Sequence, residues 1–287
     1  ADVSLRPTFP ERELELAKAN AQQNLIAQRA QPSFLATEAL ARVIFGQHPY
    51  AVVAPTPDFM RWSIASMWTP GPFEHRPMPS RYSITDVDPR WSEKQKTEYL
   101  SSINFPQLWA TSIHEAYPGH FVQGAYLRQV ASNVRKTWAI APASFVEGWA
   151  HYTEEMMWDA GLGNGEPEAH IGQLLNAMLR NVRYISAIGM HTGRMTVAES
   201  ERLFREEGFQ DAGTARQQAA RGTFDPAYLN YTMGKLMIRK LRDDWTKTRG
   251  GKDAWQEFHD EFLKFGGPPI PLVRKAMMGE DDRGALF

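Results

Sequence analysis

Helical patterning dominates the chain. The stretch "PERELELAKANAQQNLIAQRA" (10–30) is rich in helix formers and opens on a proline, which suits a first helical turn. "PSFLATEALARVIFG" (32–46) predicts a second helix that stops at Gly46. Between Thr69 and Pro79 the texture changes. Prolines at 70, 72, 77 and 79 exclude a regular helix there. "SRYSITDV" (80–87) alternates in part with period two and is the predicted strand. Ser92 with Gln95, and Thr196 with Glu199, have the spacing of capping boxes that open helices. Further helices are predicted over 106–117, 119–132, 143–160, 167–191, 197–207, 225–248, 252–265 and 270–278. There is no repeat, heptad run or low-complexity segment. The expected architecture is mainly α with one small β-sheet.

Composition narrows the classes of function. The 287 residues suffice for one large domain or two small ones, and 43% hydrophobic content supplies a core. A formal net charge of −1, with no basic patch, argues against nucleic acid or a membrane surface as partner. No apolar run approaches the roughly 18 residues needed to span a bilayer. No signal-peptide pattern is visible, and the start at Ala1 fits processing or truncation. A periplasmic or exported location is expected ahead of a cytoplasmic one. Cysteine is absent. That excludes disulfides and thiolate ligands and leaves His, Asp and Glu for any metal.

The chemistry concentrates in "TSIHEAYPGHFVQ" (111–123). A zinc-peptidase helix carries two histidines four residues apart, with a Glu beside the first as general base. Here His114 and His120 are six apart, with Glu115 beside the first. At about 100° per residue a straight helix would point them some 120° apart. Pro118 and Gly119 break that geometry, because one lacks a donor and the other accepts unusual dihedrals. A bulge at Pro118–Gly119 would absorb the two extra residues and return His120 to the side of His114. The competing reading is a helix end that happens to contain histidines.

Catalytic zinc commonly takes three protein ligands. "SFVEGWAHYTEE" (144–155) offers Glu147, His151 and Glu154 on one helical face, 27 positions and more beyond His120. Glu147 is the candidate third ligand; His151 and Glu154 would then stand beside the metal or the substrate. An exposed charged stripe is the alternative. Against it, the neighbours Phe145, Trp149, Tyr152 and Met156 are large and apolar, which suits a buried helix whose acids need partners.

Four ordered segments resemble the bacterial domain-of-unknown-function family 885: "MWTPGPFE", "TSIHEAYPGHFVQ", "SFVEGWAHYTEEM" and "DPAYLNYTMGKLMIRKLRDDW", followed by "PPIPLVRKAMMG". The resemblance covers about residues 60–287. That family is similar to the gluzincin metallopeptidases, and "SFVEGWAHY" also resembles the thimet oligopeptidase segment that holds a Glu ligand. The resemblance implies a gluzincin-like helical catalytic domain over 59–287. It implies zinc ligated by His114, His120 and Glu147, Glu115 as general base, and Tyr231 as donor to the oxyanion. Tyr228, one turn earlier, is the alternative donor. Arg239 and Arg242 are candidates to anchor a substrate carboxylate, or are surface charges.

Residues 1–58 resemble instead a segment of the pitrilysin and mitochondrial-processing-peptidase-like family that lacks the inverted zinc motif. The resemblance therefore gives His48 no ligand role and implies an N-terminal helical segment without an active site. It also implies that part of the N-terminal region usual before "PGPFE" is missing or replaced. The expected function is zinc-dependent hydrolysis of peptides by metal-activated water. The alternatives are a non-catalytic helical fragment or partner-binding domain that keeps a metal site, and a metal-dependent hydrolase of another amide or ester.

Overall fold

The computed structural model describes Val43 and residues 64–287, apart from 77, 90, 138–140, 281 and 283. The chain divides into two units, Ala1–Met60 and Arg61–Phe287, close to the boundary expected at 58/59. The helices expected at 10–30 and 32–46, and His48, lie outside the described residues, save that Val43 is helical.

The second unit is mainly helical with one two-stranded sheet. Strand β1, Ala65–Trp68, pairs antiparallel with β2, Arg81–Ile84, with Ala65 opposite Ile84 and Trp68 opposite Arg81. The proline-rich stretch between them forms the connection. The strand expected at 80–87 is therefore shorter, because its partner offers only four residues before Thr69–Pro70. The sequence pattern does not anticipate β1.

Helix α1 (Glu93–Ser102) opens with the Ser92–Gln95 capping box in both directions. Helix α2 (Phe105–Glu115) is capped by Asn104, whose Oδ1 accepts from the Gln107 amide at 3.2 Å. After a turn come α3 (His120–Gln129) and the single turn α4 (Asn133–Lys136). The long helices α5 (Ala143–Asp159) and α6 (Pro167–His191) follow. Helix α7 (Val197–Glu206) carries the second capping box, Thr196–Glu199. Then come α8 (Ala212–Gly222), α9 (Asn230–Thr246), α10 (Trp255–Lys264) and α11 (Ile270–Met278).

Two expectations need correction. The single helix over 225–248 is broken. Pro226–Leu229 form a 3-10 turn, and α9 starts only at Asn230. The turn lets Tyr228 drop into the core, where its hydroxyl donates to Ser186 Oγ at 2.9 Å. Likewise Gly251–Ala254 is a 3-10 turn ahead of α10. Helix α8 has no counterpart among the expected elements. Its buried hydrophobic stripe is only Ala215 and Ala219, too small to stand out among polar neighbours. Its start is set by Asp211, whose Oδ1 accepts from the amides of Gly213 and Thr214 at 2.9 and 3.0 Å.

The core has two parts. Phe145, Trp149, Tyr152 and Met156 of α5 pack on Met237, Ile238, Leu241 and Trp245 of α9, with Phe258 and Phe262 of α10 behind them. Leu179 and Val182 of α6 pack with Phe204, Ala215, Ala219, Tyr228 and Tyr231. The backbones of α5 and α9 nearly touch: a methyl on Gly148 would sit 2.6 Å from Gly234 Cα. Only glycine at both positions permits that approach, which sets α5, and with it Glu147, against α9 and Tyr231.

Candidate metal centre

The Pro-Gly interruption does not bulge one helix; it ends α2 and starts α3. Gly119 donates to Ile113 O at 3.0 Å, so the chain folds back under the last turn of α2. A Cβ on Gly119 would collide with the carbonyl of His114, and so the position requires glycine. The turn is also held from below, where Trp149 Nε1 donates to Pro118 O at 3.0 Å. His114 thus lies in the last turn of one helix and His120 begins the next, with their rings 4.9 Å apart and nearly perpendicular.

Glu147 of α5 closes the group. Its Oε2 lies 3.4 Å from His114 Nε2 and 3.3 Å from His120 Nε2. All three donor atoms fall within 4.8 Å of one another. Zinc bonds of about 2.0–2.1 Å in a tetrahedron place donors about 3.3–3.4 Å apart. The Glu147-to-histidine separations therefore match the edges of a zinc tetrahedron. Glu147 Oε2 and His120 Nδ1 are buried and lack a hydrogen-bond partner among the described residues. A buried carboxylate oxygen with no hydrogen bond, facing two imidazole nitrogens, suits a cation held among the three.

A second layer holds the first. Glu154 Oε1 is 2.7 Å from His114 Nδ1 and 3.2 Å from Arg180 Nη2. Its Oε2 is 3.4 Å from His151 Nδ1. Burial would raise the Glu154 pKa, but Arg180, His151 and His114 hold it well below the usual carboxylate range. Glu147 is likewise held low, by His120 and His114 against burial. His114 shows the same field from the other side. Burial pushes its pKa down, yet Glu147 and Glu154 raise it to about 9. The pocket favours positive charge at this point. His151, fully buried, is pushed down to about 4 by burial and stays neutral.

Glu115 is buried at the end of α2, and its charge helps raise the pKa of Tyr82 on β2, behind the larger effect of burial. Tyr231, in the first turn of α9, stacks on the His114 ring at 6.0 Å and 24°. Burial and the nearby Glu147 raise its phenol, which is therefore protonated at neutral pH. Tyr228 is committed to Ser186. Arg239 pairs with Glu155 at 2.9 Å. Arg242 bonds Asp243 and Tyr152 and lies 4.0 Å over the Trp255 ring. Both are used elsewhere in the fold. Three arginines absent from the expected site do surround Tyr231: Arg180, Arg183 and Arg221. A signal for Arg180 and Arg183 exists, since two cations at i and i+3 interrupt the apolar stretch "LLNAMLRNVRYISAIG" (174–189). A separate cavity of about 950 Å³, lined by Lys94, Glu98, Glu201, Arg202, Arg205 and Asp211 among others, contains none of these groups.

Fold and site together define a helical protein with a two-histidine, one-carboxylate candidate metal centre. The chain belongs to the family described as "Bacterial protein of unknown function (DUF885)", which matches residues 4–277. The match runs through residues 4–58 as well, so the resemblance of that segment to the pitrilysin-like family finds no support. No curated protein matches the chain. Among solved structures it is similar to "a putative lipoprotein of unknown function" from Shewanella oneidensis. The two share 28% identity at a TM-score of 0.66, over 88% of this chain and 45% of that one. A second, described as "the putative lipoprotein from Colwellia psychrerythraea", has 21% identity and a TM-score of 0.66 over 91% and 43%. The latter likeness concerns the fold alone. The chain spans less than half the length of either structure. No described helix is long and apolar enough to cross a membrane.

Proposed function

We propose that the protein is a zinc-dependent peptidase of gluzincin type. The observation that carries this reading is the convergence of His114, His120 and Glu147 at zinc-tetrahedron separations. When bound, zinc supplies a Lewis acid that polarises the scissile carbonyl and lowers the pKa of water. Glu154 accepts from His114 Nδ1, which would leave the Nε2 lone pair free to hold the ion. Glu115, next to His114 in the chain, takes the proton of the attacking water and returns it to the leaving amine. Tyr231 keeps its proton and donates a hydrogen bond to the oxygen that becomes negative. An exported, envelope location belongs to the same reading, carried over from the description of the Shewanella oneidensis relative as a lipoprotein.

The test is elemental analysis of the purified chain, followed by digestion of a mixed peptide library with and without a chelator. One zinc per chain and chelator-sensitive cleavage are expected. Cleavage that chelation leaves untouched, or a chain that takes up no zinc, would end the proposal.

A further inference from the structure

The arginines around Tyr231 are not equally matched by acids. Arg180 pairs with Glu154 and donates to Asn176 O at 3.0 Å. Arg221 pairs with Asp225 at 2.8 Å and lies close enough to Tyr231 to feel its phenol. Arg183 is 6% exposed and faces no carboxylate among the described residues. Its Nε donates to Gln218 Oε1 at 2.9 Å. Its two Nη atoms make no hydrogen bond to a described residue and are not sealed from solvent. Burial and the neighbouring Arg221 and Arg180 pull its pKa down to about 10. Two more buried donors lack acceptors, namely Gln218 Nε2 and Arg180 Nε. The cluster therefore holds more donors than acceptors, two of them buried, and an anion reaching the Arg183 fork would complete it.

Position gives the anion a role. Arg183 Cζ lies 5.0 Å from the Tyr231 ring centre, and that ring lies 6.0 Å from the His114 ring. An extended peptide advances about 3.3–3.6 Å per residue. The two steps together are at most about 11 Å, a reach of up to about three extended residues from the metal centre to Arg183. A planar guanidinium suits a carboxylate better than any neutral group does.

We infer that Arg183, with Gln218 and Arg180 beside it, forms a carboxylate subsite that holds the substrate within about three residues of the bond to be cleaved. This rests on the peptidase reading for its substrate, but the binding itself does not need catalysis. The carboxylate comes either from a free C-terminus or from an acidic side chain.

Calorimetric titration of the full chain separates these sources. The probes are acetyl-Ala-Phe acid, acetyl-Ala-Phe amide and acetyl-Ala-Glu amide, each with zinc and after chelation. At least a tenfold preference for one of the two carboxylates over the neutral amide is expected. The acid probe marks a C-terminal reader and the Glu probe a side-chain reader. The preference should survive chelation, since Arg183 is not a ligand, and should vanish in Arg183→Gln while Arg183→Lys keeps part of it. Equal binding of all three probes, or no binding, overturns the subsite. So does a preference that disappears on chelation, which would assign the carboxylate to zinc. The unmodified chain decides between these outcomes even if Arg183→Gln does not fold. If the peptide library stays intact while the preference holds, the peptidase reading fails and the subsite stands.

Discussion

His114 Nδ1 and Glu154 Oε1 are 2.7 Å apart, although 40 residues separate them in the chain. The contact joins the last turn of α2 to α5, and it decides which nitrogen of His114 faces the metal centre. Glu154→Gln should therefore weaken zinc binding by ~10–100-fold, the usual loss when such an outer partner is removed. Competition against a chelator of known affinity measures it. Unchanged affinity would mean that His114 is oriented by packing alone.

Glu115→Gln keeps size and hydrogen-bonding capacity but cannot take a proton. It should retain full zinc stoichiometry and lose about 10²–10⁴-fold in turnover. Cleavage at the parent rate would remove Glu115 from the mechanism.

Tyr231→Phe should lower turnover by roughly 10²-fold or more with zinc affinity nearly unchanged. A rise in KM with an unaffected kcat would instead assign the phenol to substrate binding.

Gly234→Ala forces a methyl into the contact between α9 and α5, where it meets the carbonyl of Ser144. Overpacking of this kind costs about 1–3 kcal/mol, which corresponds to a melting temperature several degrees lower. Glu147 lies next to Gly148 in that contact, so zinc affinity should fall in the same variant. A melting temperature equal to the parent's would show that the helices can part at no cost.

His259 gives a pH signature away from the metal. Tyr152 donates to its Nε2 at 2.8 Å, and Arg242 Nη1 donates to the Tyr152 hydroxyl at 3.2 Å. Burial first, then Arg242, pulls the His259 pKa down from 6.5 to about 4. Between those values the unfolded chain binds a proton that the folded chain refuses. The stability contributed is thus complete above pH 6.5, shrinks as pH falls, and is gone below about 4. Denaturant melts from pH 7 to 4 should show a steeper loss for the parent than for His259→Gln. Parallel curves would contradict the depressed pKa.

The candidate metal triad, brought together in the structure, could be picked out from sequence because its pieces are local. His114, Glu115, Pro118, Gly119 and His120 lie within seven residues, and Glu147 announces itself as an acid among bulky apolar neighbours. The capping boxes at Ser92 and Thr196 are equally local. What stays hidden depends on chain segments meeting. Nothing in Ala65–Trp68 announces a strand until Arg81–Ile84 lies beside it. Arg239 and Arg242 look like anchors because they follow Tyr231 in the same segment. In the structure, the groups around Tyr231 come from α6 and α8, which a single segment of sequence cannot supply.

The turn that ends α2 has a consequence for any metal held between the histidines. Where two ligands share one helix, helical pitch dictates their separation. Here the bite of the two imidazoles is set by the angle between α2 and α3, and that angle is held by Gly119 beneath the carbonyls and by the Trp149 indole on Pro118. Coordination preference is thereby detached from the ligands. Residues that would never touch a bound ion can widen or narrow its chelate with neither histidine substituted.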